Sequence, residues 1–164
     1  MFDTTGLSDK VIKLFEKILK ECTFTKDGEA SYFADLDLSN LELEKIPVKF
    51  NCIFGNFNCS HNKLKTLENA PNCIFGSLDC SYNNLESLRG SPSYITESFN
   101  CRYNNLMTLK HAPTIVGADF DCSNNRLTTL RGAPEQVDGK FICLNNARNE
   151  YSLRCTVDRI YLKG

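Results

Sequence analysis

Gly55-Asn-Phe-Asn-Cys59-Ser-His-Asn62-Lys-Leu64-Lys-Thr-Leu67-Glu-Asn-Ala-Pro71 is a unit that returns along the chain, lightly edited, with Cys80, Cys101, Cys122 and Cys143 in the place of Cys59. Each step is 21 residues, with no insertion. A fixed period of this size marks a solenoid, in which each unit buries its apolar face by stacking on its neighbours. Counted from the Cys, the slots hold steady. Two residues earlier sit Phe57, Leu78, Phe99, Phe120 and Phe141, and six earlier sit Ile53, Ile74, Ile95, Val116 and Val137. Three later sit Asn62, Asn83, Asn104, Asn125 and Asn146. Five and eight later come Leu64 and Leu67 and their equivalents, and twelve later Pro71, Pro92, Pro113 and Pro134.

The Phe-x-Cys alternation is the period of a strand with one buried face. The two Leu slots suit a tighter return segment, and proline then turns the chain. One strand per coil is expected, stacked in parallel on the same strand of the next coil, so that every slot becomes a column. The Asn column should lie just after the strands. There its amide can satisfy backbone groups that leave the ladder and bond the next Asn.

Phe57-Asn-Cys59-Ser-His-Asn62-Lys-Leu64 resembles the leucine-rich repeat pattern L-x-L-x-x-N-x-L, with Phe and Cys in two of the Leu slots. The fuller form, Phe-x-Cys-Ser-x-Asn-x-Leu-x-x-Leu-x-Gly-Ala-Pro, is similar to the short leucine-rich repeat proteins carried by tailed bacteriophages, over about residues 32 to 162. More distantly it is similar to the repeat arrays of secreted bacterial effectors. The resemblance implies an α/β-type leucine-rich repeat solenoid with a parallel β-sheet on its concave face. It also implies a phage-encoded binding module that acts on a host or phage protein.

Residues 1–31 are expected to form an N-terminal cap of helix and hairpin, and residues 32–164 a repeat array in the same structural domain. Ser8 can cap a helix over residues 8–22, with Val11, Ile12, Phe15, Ile18, Leu19 and Cys22 on one face. Asp27-Gly28, between two strand-prone runs, is a hairpin signal. The first repeat is disguised: Leu36 and Leu38 take the Phe and Cys slots, and Leu41 replaces Asn where the array begins. The sixth decays, with Arg148, Tyr151 and Cys155 in place of Leu, Leu and Pro, before a last strand over Val157 to Leu162.

The chain has 164 residues, 41% of them apolar, and a formal charge of −1. Bulk charge therefore recruits neither nucleic acid nor membrane. No apolar run approaches the roughly 20 residues of a membrane span. Met-Phe-Asp-Thr-Thr lacks the basic start and apolar core of a signal peptide, so a cytoplasmic setting is expected. Five of the nine cysteines fill the repeat slot, and Cys52 and Cys73 share another. An odd count in columns built for packing reads as reduced core thiols, not a disulfide framework.

Strand residues between the buried slots point outward, onto the face that solenoids commonly use for binding. Asp37, Asn58, Asp79, Asn100 and Asp121 precede their column residue, and Asp119 lies two places before Asp121. His61, Tyr82 and Tyr103 stack on consecutive coils beside Arg102. Tyr and Arg are the types that anchor protein interfaces, so these ten residues are the expected partner-binding set. The alternative is a nucleic-acid role. Either Arg89, Lys110 and Arg131 form a basic ridge, or the acidic face imitates DNA toward a nuclease. No cofactor or metal is expected, since the columns offer no ligand set. No catalytic residue is expected either: Ser60 adjoins His61 by repeat grammar, and no acid, base and nucleophile converge.

Overall fold

The computed structural model describes residues 2–146 and the backbone of 156–161. It is a parallel-strand β-solenoid of about five turns with one short N-terminal helix. Each coil contributes two strands, not one. The expected ladder is built from Leu36–Asp37, Phe57–Asn58, Leu78–Asp79, Phe99–Asn100 and Phe120–Asp121, all parallel and in register at steps of 21 residues. A further ladder, called the first here because it comes earlier in each coil, stacks Ala30–Tyr32, Phe50–Ile53, Cys73–Ile74, Tyr94–Ile95 and Ile115–Val116. The strand Gln136–Ile142 is long enough to close both. The return segments of the described coils carry no helix.

A corner separates the two ladders, and its chemistry is local. Gly55 lies so close to the preceding coil that a Cβ there would stand 2.7 Å from the Asp35 backbone nitrogen. Just past it, a polar side chain takes a backbone N–H from the next coil. Asp35 Oδ1 accepts from Asn56 (2.7 Å), Asn56 Oδ1 from Ser77 (2.8 Å), Ser77 Oγ from Ser98 (3.3 Å), Ser98 Oγ from Asp119 (3.3 Å) and Asp119 Oδ1 from Lys140 (2.8 Å). Side chains thus carry the coil-to-coil contact where the strands break off.

Inside, the columns are dry. Phe57, Leu78, Phe99, Phe120 and Phe141 are fully buried, as are the Cys column and Leu64, Leu85, Leu106 and Leu127. Ile53, Ile95, Val116 and Val137 close the wall under the first ladder. The Asn column sits within this core and is saturated. Asn83 Oδ1 accepts the Leu64 N–H (3.0 Å). Its Nδ2 donates to the carbonyls of Cys59 (2.9 Å), Cys80 (3.2 Å) and Ser81 (3.3 Å). Asn62, Asn104, Asn125 and Asn146 repeat the pattern. The expectation of Asn bonding to Asn gives way to a tighter arrangement. Each amide reaches the backbone of the preceding coil directly, because that is where the unpaired groups are.

The helix Asp9–Glu21 is capped by Ser8, whose Oγ accepts the Val11 N–H at 3.4 Å, and it buries Val11, Phe15 and Ile18 against the first coil. Thr23–Phe24 pairs antiparallel with Ala30–Tyr32 and extends the first ladder as a hairpin. At the other end Thr156–Tyr161 runs antiparallel to Gln136–Ile142. Arg148, Tyr151 and Cys155 lie outside the described residues.

The cysteine reading is corrected at Cys52, Cys73 and Cys143, all of which are disulfide-bonded. Cys52 and Cys73 are joined in a disulfide, with their Cα atoms 4.7 Å apart. In-register parallel strands bring like residues to about 4.8 Å, and that separation falls within the range a disulfide spans. Stacking therefore does not exclude the bond. Cys59, Cys80, Cys101 and Cys122 are free thiols in the core, where loss of solvent pushes their ionisation well above the ordinary thiol range. Because the thiolate is the reactive form, iodoacetamide applied to the folded protein should label Cys22 and spare these four, with mass-mapped peptides as the readout. Denatured but unreduced protein should show fewer than nine alkylated cysteines.

The amide column sets the stability. Asn83→Ala strands buried carbonyls and a buried N–H, at about 1–3 kcal/mol for each group left unpaired. Urea denaturation should show a loss of at least about 2 kcal/mol. Asn84→Ala, on the exposed side of the same turn, should stay within about 0.5 kcal/mol.

Candidate functional site

The outer flank of the second ladder is built from three successive slots. The first holds Asp37, Asn58, Asp79, Asn100 and Asp121. Each turns its side-chain oxygen onto the backbone N–H two residues on: Ser39 (2.9 Å), Ser60 (3.0 Å), Ser81 (2.8 Å), Arg102 (3.2 Å) and Ser123 (2.9 Å). These are Asx turns, and they end each strand after two residues. Asp79 also accepts from Ser81 Oγ (2.6 Å) and from Asn100 Nδ2 (3.1 Å), while Asp121 accepts from Ser123 Oγ. Asp119 serves the corner between the ladders through Lys140. Six of the ten expected binding residues thus have a task within the fold, and that task accounts for an Asp-or-Asn column without any partner.

The third slot behaves differently. Asn40, His61, Tyr82, Tyr103, Asn124 and Asn145 all have positive φ, between 52° and 56°. A left-handed residue here turns the chain so that the next side chain, the column Asn, enters the core. Asn tolerates this conformation, whereas a bulky side chain costs about 1–2 kcal/mol. Three coils nevertheless carry His61, Tyr82 and Tyr103. Their rings are stacked, with centroids 4.4 Å apart from His61 to Tyr82 and again from Tyr82 to Tyr103. Tyr82 and Tyr103 are 38% and 43% exposed, which leaves ring edges and hydroxyls to solvent. The Arg102 guanidinium lies 5.9 Å and 6.0 Å from the two Tyr centroids, a cation held against both rings. The structure therefore gathers His61, Tyr82, Arg102 and Tyr103 into one exposed cluster on consecutive coils.

The proposed basic ridge is thinner than its sequence. Arg89 Nε pairs with Glu68 at 3.1 Å, which leaves Lys110 and Arg131 beside a cleft of about 450 Å³. A larger cleft, about 670 Å³, lies between the N-terminal helix and the first coil and is lined by Ser8, Val11, Leu41 and Lys45 among others. It contains none of the expected site residues. Among the described residues no three His, Cys, Asp or Glu side chains converge as a metal site, and no helix is long and apolar enough to cross a membrane.

Sequence reasoning missed a second exposed stack. Phe33, Phe54 and Phe75 stand just outside the first ladder, 59%, 45% and 54% exposed, with centroids 4.5 Å and 4.9 Å apart. The signal was present as Phe in one slot of three consecutive coils. It was obscured because that slot belongs to a ladder the alternation did not reveal.

The chain is thus a parallel β-solenoid bearing a polar, self-bonded flank, an aromatic and cationic rim, and an apolar flank. No protein-family model, curated protein or solved structure matches it.

The left-handed slot makes a direct test. Tyr103→Asn relieves strain of about 1–2 kcal/mol and forfeits one ring stack of about 0.5–1.5 kcal/mol. Thermal melting should find the variant unchanged within about 1 kcal/mol, or more stable. Tyr103→Val, β-branched in the same conformation, should be clearly less stable than Tyr103→Asn.

Proposed function

We propose that the chain is a non-enzymatic protein-binding module whose contact surface is centred on His61, Tyr82, Arg102 and Tyr103. One observation carries this reading: bulky rings occupy three left-handed positions where Asn serves the fold better and fills the equivalent slots of other coils. Residues retained against conformational cost point to a task outside folding. Half-exposed Tyr with an adjoining Arg offers contact area together with hydrogen-bonding tips, the chemistry of interface anchors. The polar column alongside, Asp37 to Asp121, would form a rim already bonded to its own backbone.

A leucine-rich repeat affiliation, phage origin and cytoplasmic action on a host or phage protein come from the sequence resemblance, and we retain them as part of this proposal. The Cys52–Cys73 bond removes the cysteine argument for a reducing compartment. The nucleic-acid alternative is less well supported, because the Arg89–Glu68 ion pair offsets one of its three cations and Asp79 and Asp121 are occupied as turn acceptors.

The test uses a variant that folds. Tyr82→Asn with Tyr103→Asn should retain the wild-type melt and lose a protein captured by the wild-type chain from lysate of its host, infected or not. Capture that survives the double substitution removes these residues from the site. Capture that competing DNA abolishes transfers the assignment to the nucleic-acid reading.

A further inference from the structure

The slot after the second Leu of each repeat holds Glu68, Arg89, Lys110 and Arg131, and two residues before it stands a hydroxyl, Thr66, Ser87, Thr108 or Thr129. In three of these coils the hydroxyl accepts the N–H of the charged residue: Thr66 from Glu68 (3.4 Å), Ser87 from Arg89 (3.2 Å) and Thr129 from Arg131 (3.2 Å). The bond closes a small turn and occupies both groups. The coil of Thr108 departs from this pattern. Among the described residues, neither Thr108 Oγ1 nor the Lys110 N–H has a hydrogen-bond partner. The charges at this step are free as well. Arg89 pairs with Glu68, whereas Lys110 and Arg131 have no acidic partner among the described residues. The two coils touch here. Leu109 N–H donates to the Arg131 carbonyl at 3.1 Å, and a Cβ on Gly132 would stand 2.7 Å from Lys110 Cα. Thr108, Lys110, Arg131 and Gly132 line the cleft of about 450 Å³, with no carboxylate among them. It therefore collects a hydroxyl, a backbone N–H, an ammonium and a guanidinium, all able to donate.

We infer that this cleft binds the phosphate group of a phosphate monoester. Such a group carries a charge of about −2 at neutral pH and three strong acceptor oxygens. Two free cations match the charge. The Arg131 guanidinium can hold two oxygens at once, and the Lys110 ammonium acts as a point charge. The Lys110 N–H and the Thr108 hydroxyl, released from the turn that the other coils make, are donors for the remaining lone pairs. A carboxylate brings half the charge and one oxygen fewer. A nucleic-acid strand needs cations in a row to meet successive phosphates, and the Arg89–Glu68 pair ends the row after two coils. The site shares no residue with the aromatic cluster, so it stands or falls apart from the protein-binding reading.

Arg89, Lys110 and Arg131 are exposed, so substitutions there should leave the circular dichroism spectrum unchanged. In isotope-labelled protein the Lys110 and Gly132 amide resonances should shift and saturate as inorganic phosphate rises over about 0.1 to 50 mM, a range suited to a shallow single-ion site. Sodium chloride of matched ionic strength should not move them. Lys110→Gln and Arg131→Gln should each weaken binding about tenfold or more, as loss of one charge-assisted hydrogen bond does. Arg89→Gln should leave it within about twofold, because that charge is exposed and paired with Glu68. Glycerol phosphate and a phosphoserine peptide then separate a free ester from one carried on a protein. Binding by either sustains the site, and binding by neither overturns it. Phosphate shifts that chloride reproduces, that fail to saturate, or that survive both Gln substitutions also overturn it. An oligonucleotide that binds more tightly than the monoesters and is weakened by Arg89→Gln replaces the compact site with the whole ridge.

Discussion

Each coil holds the next through a buried carboxamide. After the Cys of every repeat the chain leaves the ladder while still inside the core. Its N–H and C=O groups there have neither water nor a strand partner, and buried backbone groups must be paired. The Asn at that point accepts one N–H of the preceding coil and donates to carbonyls in both coils. Asp could accept but not donate, and a hydroxyl has too few hydrogens to serve three carbonyls. The array begins where this residue is missing: Leu41 holds the slot in the first coil, and Asn62 of the second coil accepts the Leu41 N–H instead. The alignment of every other column follows from this contact, because it fixes one coil over the next to within a hydrogen bond.

The three outward surfaces then differ by what they do for the backbone. Polar side chains at the corner and the strand ends carry hydrogen bonds that a longer strand would have made for itself. That flank is polar by structural need. Along the rim beyond it, the left-handed slot asks only for a residue that tolerates positive φ, and the rings at His61, Tyr82 and Tyr103 exceed that requirement. The first-ladder flank has the least backbone duty, and it carries the exposed phenylalanines. On these surfaces, residue choices with no structural explanation are therefore concentrated in two places.

Much of this was legible in the sequence. The period, the inward columns, the role of Asn as a backbone partner, the capping helix and the closing strand could all be read from spacing and residue type. The first ladder could not. In three successive coils its strand turns only one apolar residue inward, Ile74, Ile95 or Val116, so no alternation announces it. The Asx turns were hidden for a related reason. An outward Asp or Asn reads as surface until the N–H two residues on is seen to lack another acceptor. The left-handed slot was invisible because Tyr and His do not advertise positive φ as Gly or Asn does. Cys52 and Cys73 were placed in one column correctly, yet how close that column brings them follows only from the strand spacing.

The strand Thr156–Tyr161 runs against the direction of all the coils it follows. An array of identical parallel turns is a template for its own continuation, and a stack of molecules joined head to tail would be a fibre. The reversed strand spoils the template. Its free edge presents the uneven bond spacing of an antiparallel pair, which an incoming parallel turn does not match. With the helix and hairpin over the opposite end, antiparallel pairing discourages growth along the axis at both ends of the described array.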